Sequence, residues 1–253
     1  MITEQSVPVL VTLEPSDHPY LSGPWTPQYA EVDATDLEVI EGAIPGELDG
    51  IYVRNTQNPV HKPLGFYHPF DGDSMLYQID FHGGKASFRN RFVRTRGFQA
   101  EQEARGALWG GFVDPPTLSR RPGVGFSSSL KDASSTSIVV HAGKLLSMFY
   151  MCGEGYRLDP LTLETLGVEG WVPIDGISAH AKVNEATGEL YFFNYSARPP
   201  FLPFTPRTLS FASFSSWTSS CAGRSPAGRA GTSSGISFSR ASLPFRTAFS
   251  FII

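Results

Sequence analysis

Residues 205–253 contain no acidic residue, no lysine and no histidine, and the whole 253-residue chain has two cysteines, Cys152 and Cys221. Two distant cysteines without C-x-x-C spacing exclude a disulfide framework and point to a reducing compartment, with the cytoplasm as the expectation. Excess basic charge is missing as well. A formal net charge of -4 and a pI near 5.9 exclude the electrostatic footprint of a nucleic-acid-binding protein. The opening MITEQSVPVLVTLEP has no basic segment and its apolar run is interrupted by Pro8, so neither a signal peptide nor a transmembrane helix is expected. Helical periodicity is also sparse. Residues 99–108 (QAEQEARGAL) are the best helical candidate before Gly106 and the glycines after it.

What is present has a period of two. Residues 1–60 read as an extended arm with short strands. Beyond it, residues 75–81 (MLYQIDF) alternate, His82-Gly83-Gly84-Lys85 supplies turn chemistry, and residues 86–95 alternate again, which predicts a hairpin. A second hairpin is expected over 137–141 and 144–150. A third spans 177–183 and 189–195, with Gly188 suited to a left-handed turn. Evenly spaced short strands with glycine turns predict an all-β propeller or barrel.

The composition divides the chain into a body, 1–204, and a tail, 205–253. The body holds all 24 Asp and Glu, and the tail adds five arginines, six phenylalanines and serines without a period. Low complexity of this kind suits a disordered segment, but so many phenylalanines do not suit a solvated linker. A shifted reading frame near Leu202 accounts for the abrupt change.

Six stretches carry a resemblance. EGAIPGELDGIYVRNTQNP (41–59), FYHPFDGDSMLYQIDF (66–81), NRFVRT (90–95), SIVVHAGKLLSM (137–148), YRLDPLTLETLG (156–167) and ISAHAKVNEATGELYFFNYS (177–196) follow one another as in the carotenoid cleavage oxygenases. That family includes apocarotenoid oxygenases, stilbene-cleaving dioxygenases and retinoid isomerohydrolase, and the resemblance covers roughly residues 15–202. It implies the N-terminal blades of a seven-bladed β-propeller. It also implies a non-haem Fe(II) held on the axis by four histidines, and oxidative cleavage of a conjugated carbon–carbon double bond with O2. Family members often draw apolar substrates from membranes, so the resemblance also implies a peripheral membrane contact.

His180 falls on the first ligand position, within Ala179-His180-Ala181-Lys182. In an alternating strand it would face away from Ile177, Ala179 and Val183, beside the small Ser178. Read without the resemblance, it is an ordinary structural histidine. The other five, His18, His61, His68, His82 and His141, all precede it and read as loop or surface residues, whereas the family's remaining ligands lie downstream. One imidazole does not hold Fe(II), which needs several protein ligands. The chain is therefore expected to be inactive by itself. A lysine and a tyrosine hold a phenolic hydroxyl in the stilbene-cleaving members; Lys131 matches the lysine, and Phe98 stands where the tyrosine would. Taken alone, Lys131 reads as a solvated loop lysine. The substrate expectation is an apocarotenoid-like polyene, with a stilbene as the alternative, and a non-enzymatic remnant or metal-free apolar-ligand-binding fragment as the other readings.

Overall fold

The computed structural model describes residues 3–123, 129–172, 176–195, 201–202, 204–208 and 237–238. The chain runs through β1 (Thr3–Pro8), β2 (Ala30–Thr35), a short β3 (Val39–Glu41), β4 (Gly50–Asn58), β5 (Asp73–His82) and β6 (Lys85–Phe92). All but β3 form one antiparallel sheet in the order β1-β2-β6-β5-β4. The β5–β6 hairpin closes where the sequence predicts it, because Gly83 and Gly84 take φ of 56° and 74°, the backbone that a two-residue turn requires. Along β6, Ala86, Phe88, Asn90 and Phe92 are buried while Arg89 and Arg91 take the other face and converge on Asp33 of β2.

Helix α1 (Arg96–Ala104) starts three residues before the expected 99–108. Thr95 caps it by accepting the Phe98 N–H at 2.9 Å, and Arg105 ends it in the left-handed region at φ 56°. Gly97 in the first turn conceals this start, since glycine is a poor helix former. It lets the helix lie close to the loop before β7, since a Cβ at Gly97 would lie 3.2 Å from Lys131 Cβ.

The second sheet contains β7 (Ser137–His141), β8 (Lys144–Met148), β9 (Tyr156–Leu158) and β10 (Thr165–Val168), in the order β10-β9-β8-β7. The third contains β11 (Lys182–Asn184), β12 (Glu189–Phe193) and β13 (Phe204–Thr208) in sequence order, and β14 (Ser237–Phe238) pairs with β3. The rest of the tail, including Cys221, and the segment 196–200 before the composition change lie outside the described residues.

Strand β8 shows how the sheets stack. Its Leu145 joins Leu76, Val93, Tyr156, Leu158 and Leu163 between the first and second sheets. Its Leu146 and Met148 join Ile177, Ala181, Leu190 and Phe192 between the second and third. Both faces of the middle sheet are thus buried, which is why β8 reads as an apolar run. Asn55 pins the first two sheets together. Its amide donates to Ser134 O at 2.8 Å and Ser147 Oγ at 3.1 Å, and its Oδ1 accepts from Ser74 Oγ at 2.7 Å. Successive antiparallel sheets packed face to face are the blades of a propeller.

The third hairpin differs from expectation. Residues 177–183 are not one strand: Ile177 forms an isolated bridge with Gly153, and the ladder begins only at Lys182. The interruption is at His180, whose φ of 69° turns the backbone left-handed while its N–H donates to Ser137 Oγ at 3.0 Å. Ile177, Ser178, Ala179 and Ala181 are all buried, so strict alternation fails.

Candidate functional site

A cavity of about 60 Å³ opens between β5, α1 and the loops that precede β5 and β7. Its floor is charged and its wall is aromatic. Asp73, Glu101 and Lys131 line the floor, and Tyr67, Phe70, Trp109 and Phe149 line the wall. Lys131 Nζ lies 2.9 Å from Asp73 Oδ1 and 2.5 Å from Glu101 Oε2. The lysine side chain is 13% exposed and each carboxylate 3%, which corrects the reading of Lys131 as a solvated loop residue. Asp73 begins β5, Glu101 sits on the inner face of α1, and Lys131 comes from the loop leading to β7, so only the fold brings the three together.

Burial pushes the Asp73 carboxyl up to about 6, against the pull of the Lys131 ammonium, while Glu101 adds to the rise. For Lys131, burial alone would lower the pKa, but the two carboxylates outweigh it and hold the ammonium above its ordinary value. Around this floor the polar groups are engaged. Glu101 Oε1 accepts the Leu108 N–H at 2.8 Å. The His61 ring is held between Thr12 Oγ1 and Gln102 Nε2, each at 3.1 Å, and burial lowers its pKa. Asp71 accepts the N–H of His68 at 2.8 Å and of Phe112 at 2.7 Å.

Asp132 fixes the loop that carries Lys131. Its carboxyl accepts the N–H of Ser134 at 2.9 Å and of Glu154 at 2.5 Å, and Gly153 must lack a side chain because a Cβ would lie 2.3 Å from Asp132 Oδ2. Burial pushes this carboxyl up to about 7. A carboxyl raised on folding contributes most when protonated, so its contribution is full below the ordinary carboxylate range and is lost as pH rises through about 7. Asp132→Asn removes the ionisation and keeps one carbonyl oxygen, which serves one of the two N–H donors, so the variant starts from a lower stability and the comparison rests on the pH slope. The urea midpoint of this variant is expected to gain on wild type steadily as pH rises over that window; parallel pH profiles would refute the assignment.

Phe98 does not line the cavity. It is buried in a cluster with Val60, Met75 and Phe92, stacks on Phe92 at 5.0 Å between centroids, and carries the Arg94 guanidinium 5.1 Å from its ring. No tyrosine hydroxyl therefore accompanies Lys131 at that position. The residues the sequence did not single out, Asp73 and Glu101, left no local signal: their meaning depends on a lysine 30 or more positions away.

His180 lies apart from this cavity and is exposed. The other histidines are not free to join it. His61 and His141 are buried, which corrects their reading as loop or surface residues, and His141 Nε2 pairs with Gly188 O at 3.1 Å. His18 and His68 each accept a backbone N–H, and His82 pairs with Asp49. Among the described residues no group of three or more His, Cys, Asp or Glu side chains is placed to hold a metal ion. A lone exposed imidazole does not fit an Fe(II) centre.

The family model for the retinal pigment epithelial membrane protein matches residues 25–222. Isoeugenol monooxygenase of Pseudomonas nitroreducens is 36% identical over 188 residues, which cover 73% of this chain and 38% of that protein. Resveratrol cleavage oxygenase 1 of Aspergillus fumigatus is 36% identical over 186 residues, covering 72% and 36%. The crystal structure of Pseudomonas brassicacearum lignostilbene dioxygenase superposes with a TM-score of 0.64 at 29% identity, covering 73% of this chain and 38% of that one. The chain thus spans about two fifths of the length of the curated relatives it matches. Among the described residues no helix is long and apolar enough to cross a membrane.

Proposed function

Because the chain belongs to the carotenoid oxygenase family, whose retinal pigment epithelial membrane protein model matches residues 25–222, we propose that it is the substrate-anchoring part of an Fe(II)-dependent oxygenase that cleaves the double bond beside a phenol ring. The observation that carries this reading is the cavity with aromatic walls and a buried lysine at its floor. An aryl ring stacked against Tyr67, Phe70, Trp109 and Phe149 would turn its hydroxyl down to the Lys131 ammonium, and at about 60 Å³ the cavity takes that hydroxyl-bearing edge rather than the whole ring.

The same floor favours a phenol over the apocarotenoid-like polyene expected from the sequence. An apolar polyene end would bring no donor to the buried Asp73 Oδ1, whereas a hydroxyl brings one. Some relatives are named for phenols, isoeugenol, resveratrol and lignostilbene, and others for carotenoid cleavage, so the choice between the two rests on the charged floor.

In a whole enzyme of the family Fe(II) would supply the activation of O2. The residues described in this chain bind and orient the ring, and His180 contributes a single imidazole, so no step of the oxygen chemistry is assigned to them. The tail residues 205–253 add no His, Asp or Glu. The chain by itself is therefore a ligand-binding fragment of an oxygenase lineage. It is expected to retain far less than one iron per chain after anaerobic incubation with Fe(II) and desalting. Saturable binding of 4-hydroxystilbene is expected, read from quenching of Trp109 in the cavity wall. One tightly held iron per folded chain would overturn the first expectation, and a folded chain that does not bind the stilbene would overturn the second.

A further inference from the structure

Building on that pocket reading, we infer that Asp73 is its specificity-determining acceptor: Asp73 Oδ1 takes the hydrogen of a free phenol while Lys131 donates to the same phenol oxygen, so the pocket selects a phenol over its methyl ether. The donors and acceptors at the floor decide the selectivity. An ammonium has three donors and no acceptor, so Lys131 can bind a hydroxyl oxygen but cannot distinguish a phenol from an ether. Discrimination needs an acceptor with spare capacity.

Glu101 does not provide one, since Oε2 contacts Lys131 and Oε1 accepts the Leu108 N–H. His61 has both ring nitrogens engaged, and Asp71 is taken up by two backbone N–H groups. Asp73 differs. Its Oδ1 is buried and lies 2.9 Å from Lys131 Nζ, yet this ion-pair contact is not directed as a hydrogen bond, and no other donor reaches the oxygen among the described residues. Because Asp73 and Lys131 line the same cavity, one oxygen atom placed there can donate to the first and accept from the second. A methyl ether in that position brings a methyl group against the carboxylate and leaves it unpaired.

The test compares binding of 4-hydroxystilbene and 4-methoxystilbene to the full chain. Wild type is expected to prefer the phenol by roughly ten- to a hundred-fold, the range for a hydrogen bond to a charged group. Asp73→Leu, which leaves Lys131 paired one-to-one with Glu101, is expected to bring the two affinities within about three-fold of each other. Tyr67→Phe, which removes the other hydroxyl lining the cavity, is expected to keep the preference. A second reading needs no variant, so it stands even where Asp73→Leu fails to fold. A phenol donating to a carboxylate gains phenolate character, so the absorption of bound 4-hydroxystilbene shifts to longer wavelength while that of the methyl ether does not. Equal affinities in wild type, retention of the preference in folded Asp73→Leu, or absence of the shift would each overturn the role of Asp73 and leave the pocket intact. Failure of wild type to bind either stilbene would remove the pocket reading, and this assignment with it.

Discussion

Lys131→Met is expected to lower the free energy of unfolding by about 3–5 kcal/mol, the usual loss when one partner of a buried charge pair is removed. Methionine fills similar volume, so little of that loss comes from a cavity. Nearly all of it comes from Asp73 and Glu101, left buried beside each other without the ammonium that both face. The pH dependence checks the cause. Burial already raises the Asp73 carboxyl to about 6 in the presence of Lys131, and without the cation it rises further. A carboxyl raised in the folded state favours folding while protonated, so the variant should recover stability on acidification and lose it as pH climbs through and beyond about 6. Urea unfolding of wild type and variant at mildly acidic and mildly alkaline pH measures both effects. A loss of only about 1 kcal/mol or less, without pH dependence, is what a solvated lysine would give, and would show that the floor of the cavity is open to water.

That lysine marks where legibility in the sequence stops. Two of the three predicted hairpins fold close to where the alternation places them, because a strand with a two-residue glycine turn is specified by neighbours in sequence. The charged floor is specified by residues on β5, on α1 and in the loop before β7. Nothing local to SLKDASST separates a buried lysine from an exposed one; the difference is made by Asp73 and Glu101, which the stacking of the first two sheets and α1 brings within reach. The same holds for His61 and His141, whose burial follows from the arm bearing Thr12 and the turn bearing Gly188. Phe98 shows the reverse effect. Alignment with a family position suggested a ligand contact, but Gly97 lets the helix start early and close on Lys131, and the Phe98 ring turns into the core against Phe92. At His180 the residue types alternate as in a strand, but the backbone does not, because its left-handed φ places the N–H on Ser137 Oγ.

The segment leading to His180 depends on a glycine, and Gly176→Ala is expected to cost about 3 kcal/mol or more. Gly176 has φ of 83°, and a Cβ there would lie 2.1 Å from the Cys152 carbonyl oxygen and 2.7 Å from that of Gly153. The left-handed backbone alone costs alanine about 1–2 kcal/mol. The contact with backbone atoms cannot be relieved by a side-chain rotation, so the chain itself has to move. The movement falls on the joint between the second and third sheets, since Ile177 N–H donates to Gly153 O at 2.9 Å in the bridge that ties them. Opening that joint exposes Leu146, Met148, Ile177, Leu190 and Phe192, which share one buried cluster between the two sheets. The loss should therefore be local before it is global. Amide exchange in β11 and β12 is expected to quicken well before exchange in β5 and β6 does. Gly170→Ala serves as the control, because a Cβ there meets nothing within 4 Å and needs no unusual φ, so its effect should stay within about 0.5 kcal/mol. If Gly176→Ala matched that control, the bridge would not be what joins the third sheet to the rest, and the buried cluster alone would have to hold it.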